Sequence, residues 1–147
     1  MFNKIVWATD GSPGADRALG YATELARMHH AELVVVHGEE LSATRSSIGY
    51  TRRVDEEDLE DKIKRQVAEM ADSGIAVTLK VIGGHANAAA LIAEVADDVA
   101  ADLVVVGTRG HTELTGLLLG SVTTRLLHIL HCPVLAIPPQ VKTEQPG

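Results

Sequence analysis

Leu103-Val104-Val105-Val106-Gly107-Thr108-Arg109-Gly110, the nine residues His111 to Leu119, and then Gly120-Ser121-Val122-Thr123-Thr124 form the stretch whose reading decides the fold. The continuous apolar run predicts a strand buried on both faces, which is the pattern of a parallel sheet covered by helices. Glycines then punctuate a loop, and a helix opens with hydroxyl residues in its first turn. Glycine lets a ligand approach the main chain closely. The first amides of a helix have no intrahelical partner and sit at the positive end of its dipole, so a phosphate placed there is stabilised twice. Ser121 and Thr123 add hydroxyls at the same place, and Arg109 or His111 can add charge. Taken singly, each glycine is accounted for by turn geometry; the whole spaced set is read here as an anion site.

Outward from this stretch, strand and helix patterns alternate. Ile5-Val6-Trp7-Ala8 is a short apolar run ending at Thr9-Asp10-Gly11-Ser12-Pro13-Gly14. Ser12 suits a helix cap and Pro13 the first helical position. Ala15, Ala18, Leu19, Ala22, Leu25 and Ala26 follow on one helical face. Asp10 has two readings: an acceptor for ribose hydroxyls or an adenine amino group, or a cap for that helix. Leu33-Val34-Val35-Val36-His37 is a second buried strand. A polar stretch from Gly38 to Arg53 comes next, either a cover for a ligand or a solvated connector. From Val54 to about Ser73 the spacing of Leu59, Ile63, Val67 and Met70 predicts a helix; its acidic start, Asp55 to Asp58, reads as a solvated face, and Gly74 as its stop. Val77, Leu79 and Val81 alternate with Thr78 and Lys80, as an edge strand would. After Gly83-Gly84-His85, a third helix buries Leu91, Ile92, Val95, Ala96 and Val99. A last helix runs from Ser121 to about His131, and Val134-Leu135-Ala136-Ile137 is a final strand stopped by Pro138-Pro139.

Five strands alternating with four helices predict an α/β, Rossmann-like architecture: an open five-stranded parallel sheet with helices on both faces. In such sheets the ligand sits beyond the carboxyl ends of the strands, where the winding reverses. The loops after the first and fourth strands both lie there.

Composition narrows the function classes. At 147 residues the chain is expected to form one domain over 1–139, with a polar, disordered tail over 140–147. A net charge of −7 and 3% aromatic residues disfavour nucleic-acid and membrane surfaces as partners. With no apolar run of bilayer length, no secretory leader pattern and one cysteine, Cys132, the expected location is cytoplasmic. There is no G-x-x-x-x-G-K-[ST], no G-x-G-x-x-G after the first strand, and no receiver-domain acid and lysine set. His128, His131 and Cys132 have the spacing to share a metal, but histidines at a helix end are the simpler reading, and no metal site is expected.

The pattern Gly107-x-x-Gly110, nine residues, Gly120-Ser121 resembles the ATP-binding signature of the universal stress protein family. Thr9-Asp10-Gly11-Ser12 and Cys132-Pro133-Val134-Leu135 are similar to that family as well, and the likeness covers all but the tail. The resemblance implies strand order 3-2-1-4-5, a homodimer built through Val134 to Ile137, and bound ATP; the chemistry of a triphosphate makes Mg²⁺ a possible companion. It implies that Ala8, Thr9 and Asp10 touch adenine and ribose, that Val106, Gly107, Arg109 and Gly110 line the ribose and phosphate side, and that Gly120, Ser121, Val122 and Thr123 hold the phosphates. No catalytic residues are expected: the phosphate loop lacks a placed base or water-orienting carboxylate, which points to regulation in the stress response with at most slow hydrolysis. The alternatives are a ligand-free dimeric interaction module and an adenylating or ATP-pyrophosphatase type of enzyme.

Overall fold

The computed structural model describes residues 1–38, 49–82, 87–108 and 120–139. The tail over 140–147, the 39–48 part of the polar stretch, Gly83-Gly84-His85, and Arg109, Gly110 and His111 of the glycine loop lie outside the described residues. The elements run β1 (Lys4–Ala8), α1 (Pro13–His29), β2 (Glu32–Gly38), α2 (Gly49–Asp72), β3 (Val77–Ile82), α3 (Ala88–Asp98), β4 (Leu103–Gly107), α4 (Ser121–Ile129) and β5 (Val134–Ile137). The strands form one parallel sheet in the order β3-β2-β1-β4-β5, as expected.

The apolar runs explain the layering. Along β1, β2 and β4 successive side chains alternate between faces. Ile5, Trp7, Leu33, Val35, Leu103 and Val105 pack under α1 and α2; Val6, Ala8, Val34, Val36, Val104 and Val106 pack under α3 and α4. Helix α1 meets the sheet through Ala15, Ala18, Ala22 and Ala26, small side chains that let its axis lie close to the strands.

Strand ends shift by a residue, and two helix boundaries differ more from expectation. Helix α2 begins at Gly49, before the expected Val54. Residues 50–53 are polar but contain no breaker, and a polar run in sequence is as compatible with a helical turn as with a loop. Helix α4 stops at Ile129, with Leu130 already extended at ψ 145. Pro133 biases Cys132, the residue before it, away from helix, so α4 cannot run on into β5.

The amino ends of the strands are tied by Asp102, whose Oδ2 accepts from the backbone N–H of Asn3 at 2.6 Å and Lys4 at 2.9 Å. These bonds favour the carboxylate and hold its pKa below the ordinary 3.8. A depressed folded-state pKa means that the folded chain binds this proton less readily than the unfolded chain. The stability it contributes is therefore present above the ordinary carboxylate value and is lost as pH falls through the folded one. Asp102→Ala should lower the melting temperature at neutral pH, and the gap to the wild type should close as pH drops below 3.8. A gap that persists undiminished in acid would show that the charge is not its source.

Candidate functional site

The sheet divides at the strand where its winding reverses. The β1–β4 ladder ends at Trp7↔Val105. Beyond it each strand stays with its other neighbour: β1 continues to Ala8↔Val36 with Thr9 N–H donating to Val36 O at 2.9 Å, and β4 continues to Gly107↔Ile137 with Thr108 N–H donating to Ile137 O at 2.9 Å. Ala8 and Val106 thus stand on either side of the gap in the ladder, at the carboxyl edge of the sheet, where ligands of open α/β sheets are held.

On the β1 side the loop is fixed by its own short side chains. Buried Thr9 accepts from Gly11 N–H through Oγ1 at 3.0 Å, and Asp10 Oδ1 accepts from Ser12 N–H at 2.9 Å. Ser12, fully buried, caps α1 by accepting from Ala15 N–H. Of the two readings of Asp10, capping of α1 is therefore Ser12's role; Asp10 closes the turn before it and stays half-buried at the carboxyl edge. Gly11 has φ +77, a conformation that favours glycine, and the Leu59 side chain packs into the space a Cβ would take. The Thr9 carbonyl accepts from buried His37 Nδ1 at 3.1 Å, which fixes the tautomer with the proton on Nδ1. His37 also lines a cavity of about 170 Å³ with Glu60, Ile63, Lys64, Leu79 and Val81.

On the β4 side two bonds stitch the ends of the glycine loop together. Gly120 N–H donates to Thr108 O at 2.6 Å, and Thr123 Oγ1 donates to Gly107 O at 2.8 Å. The start of α4 is thereby pinned against the end of β4. Thr123 is buried and its hydroxyl proton is committed to this brace, so of the two hydroxyls expected at the helix start it is Ser121 that is exposed. Gly107 is glycine for a packing reason: a Cβ there would lie 2.9 Å from the C and O of Gly14, where the first turn of α1 crosses the strand end.

The helix starts differ chemically. Ser12 caps α1 and Asn87 caps α3, each accepting a backbone N–H. The N-cap of α4 is Gly120, extended at φ −61 and ψ 155, which has no side chain with which to cap the helix. Among the described residues no side chain takes the first amides of α4, which a ligand or water can meet.

Of the expected site residues, Ala8, Thr9 and Asp10 occupy one bank of the split edge, and Val106, Gly107, Gly120, Ser121, Val122 and Thr123 the other; Arg109 and Gly110 lie outside the described residues. Sequence reasoning missed Lys62, whose ammonium donates to Gly11 O at 2.9 Å and to Asp16 Oδ2 at 2.7 Å, and Gln66, which donates to Asp16 Oδ1 at 3.0 Å. Their only signal is position: they flank the Leu59–Ile63 stripe with helical spacing. At the far end of α4, His131 Nδ1 lies 3.2 Å from Asp97 Oδ1, and burial, aided by Asp97 and Asp102, pushes the Cys132 thiol pKa up. A raised thiol is a poor metal ligand. Among the described residues no group of three such side chains is arranged around a metal.

The sequence model of the universal stress protein family matches residues 1–138. The chain belongs to the universal stress protein family. The universal stress protein YxiE of Bacillus subtilis is 33% identical over 147 residues, covering 93% of this chain and 99% of that protein. Among solved universal stress proteins, MJ0577 of Methanocaldococcus jannaschii superposes with a TM-score of 0.80 at 25% identity, covering 97% of this chain and 99% of the other. A universal stress protein solved in complex with cAMP is 25% identical with a TM-score of 0.62, covering 92% and 96% of the two chains.

Proposed function

We propose that this universal stress protein holds ATP at the split carboxyl edge of its sheet and acts as a nucleotide-occupied regulatory module of the stress response. The observation that carries the reading is the start of α4, uncapped by any described side chain and pinned beside the end of β4 by the Thr123 and Gly120 bonds. Backbone donors held in place before a ligand arrives cost little to order on binding. In this reading the phosphates take the amides of Ser121, Val122 and Thr123 with the Ser121 hydroxyl, and Arg109 and Gly110 complete the loop. Ala8, Thr9 and Asp10 serve adenine and ribose across the gap, and Val106 and Gly107 line it. The adenine nucleotide of the cAMP-bound family member supports the class of ligand. Mg²⁺ would accompany the triphosphate and offset part of its charge.

Occupancy, with slow hydrolysis at most, fits better than fast turnover. Among the described residues at this corner, Gly107, Thr108 and Gly120 to Thr124, none is a carboxylate or an imidazole able to take a proton from water. Equilibrium dialysis against ATP with and without Mg²⁺ should retain about one nucleotide per chain; no retention at millimolar ATP would refute the reading in favour of a ligand-free interaction module.

The same reading includes a homodimer through β5. This is an edge strand with Val134, Leu135 and Ala136 only half-buried, and α4 beside it exposes Leu127 and Ile129. An apolar edge invites pairing, and a second copy of the same strand covers it. Sedimentation at micromolar concentration should give twice the chain mass, and a monomer would contradict the dimer without touching the nucleotide site. No described helix is long and apolar enough to cross a membrane.

A further inference from the structure

We infer that Lys62 on α2 is a positioning residue for the nucleotide loop after β1, an inference that rests on reading that loop as one bank of the ATP site. Its ammonium bridges two points on either side of the Ser12 cap: the Gly11 carbonyl at 2.9 Å and Asp16 Oδ2, in the first turn of α1, at 2.7 Å. Gln66, one turn further along α2, holds the second oxygen of Asp16 at 3.0 Å. One turn before Lys62, Leu59 lies over Gly11 in the space a Cβ would need. Leu59, Lys62 and Gln66 thus form a single face of α2 that covers residues 11 to 16. The turn between them carries the Asp10 carboxylate, bonded through Oδ1 to Ser12 N–H.

The arrangement is better suited to setting a loop than to holding the domain together. The Lys62 and Asp16 side chains are 34% and 37% exposed, and ion pairs of that exposure contribute little to global stability. The Gly11 carbonyl is different. It belongs to a residue in a left-handed conformation, next to the carboxylate that must meet the ligand, and the ammonium fixes which way that peptide faces. Lys62 thereby ties α2 to the ligand loop. By linkage, a nucleotide that needs the loop in this conformation tightens the docking of α2.

The test compares wild type, Lys62→Met, Lys62→Arg and Asp16→Asn by three measurements: urea midpoint without nucleotide, amide exchange at Gly11 and Ser12 without nucleotide, and ATP affinity by calorimetry. Lys62→Met should leave the midpoint nearly unchanged, speed exchange at both amides, and weaken ATP binding about five- to tenfold, the size of coupling carried by such networks. Lys62→Arg should recover most of the affinity, and Asp16→Asn should fall between. Unchanged exchange and affinity in Lys62→Met, with the wild type binding ATP, would overturn the inference alone. A midpoint that falls in step with affinity in both Lys62 variants would overturn it too, by making Lys62 a general prop. A wild type that binds no ATP would overturn the proposed function, and this role with it.

Discussion

Gly120→Asp is expected to weaken ATP binding at least about 100-fold while leaving the fold as stable as before or slightly more so. The backbone at Gly120 has φ −61 and ψ 155, a conformation open to every residue, and it already occupies the N-cap of α4. Aspartate is among the preferred N-cap residues and improves on glycine there by a few tenths of a kcal/mol. Its charge at the positive end of the helix adds about 0.3–1 kcal/mol. In the proposed site the same carboxylate would take the amides that the phosphates need and repel the phosphates themselves. Losing two charge-assisted bonds at about 1.5–3 kcal/mol each exceeds the roughly 2.8 kcal/mol that a 100-fold change represents. The two effects have opposite signs because one set of donors serves either the protein or the ligand. Urea unfolding and calorimetry on the same preparation measure both. Gly120→Ala separates charge from bulk: it adds a methyl group and no competing acceptor, and should cost far less affinity. Gly120→Asp binding ATP within threefold of wild type would remove the α4 start from the site.

The fold was legible wherever burial writes a simple pattern. Strands β1, β2 and β4 are covered on both faces and read as unbroken apolar runs; β3 is at an edge and alternates, with Thr78 and Lys80 exposed and Val77 and Leu79 half-buried. The alternation weakens at Val81, which is 44% exposed near the strand end although its spacing groups it with Val77 and Leu79. The alanine stripe of α1 and the Ser12-Pro13 start were equally plain, because both are local. Strand order was not written in any local pattern and came from the family resemblance.

The site was legible only in part, for a physical reason. Spacing can announce that glycines and hydroxyls cluster near a strand end, but it cannot say which donor is already taken. Ser121 and Thr123 look alike in sequence, yet Thr123 spends its hydroxyl on Gly107 O, sixteen positions away. Asp10 and Ser12 both suit a helix cap, and the path of the chain gives the cap to Ser12. Lys62 lies 51 positions from Gly11, on a helix whose charges read locally as a solvated face. Gly107 shows the opposite ambiguity. It belongs to a motif that suggests a ligand, and the atoms that demand its missing side chain are those of Gly14.

That packing of α1 against the strand ends leads to the second large effect, at Trp7. Its side chain is fully buried in the central strand, with Val35 and Val105 in register on either side, and its indole N–H donates to the Ala15 carbonyl at 3.0 Å in the first turn of α1. Trp7→Ala should cost about 3–5 kcal/mol, the range for emptying a large aromatic site in a core. Against a typical domain stability of about 5–15 kcal/mol, that leaves a protein near its unfolding threshold at physiological temperature. Trp7→Phe keeps most of the apolar contact and removes the bond to Ala15, and should cost about 1–2 kcal/mol, with the loss divided between packing and one hydrogen bond. Because Ala15 and Gly14 abut Gly107, the milder variant should also loosen the contact between the two banks of the site and lower ATP affinity by a small factor. Trp7 is the chain's single tryptophan, so its emission follows unfolding of the wild type, while the variants need far-UV circular dichroism. A Trp7→Ala loss below about 1 kcal/mol would mean that the ring does not fill the core, and that α1 is held to the sheet by its alanines alone.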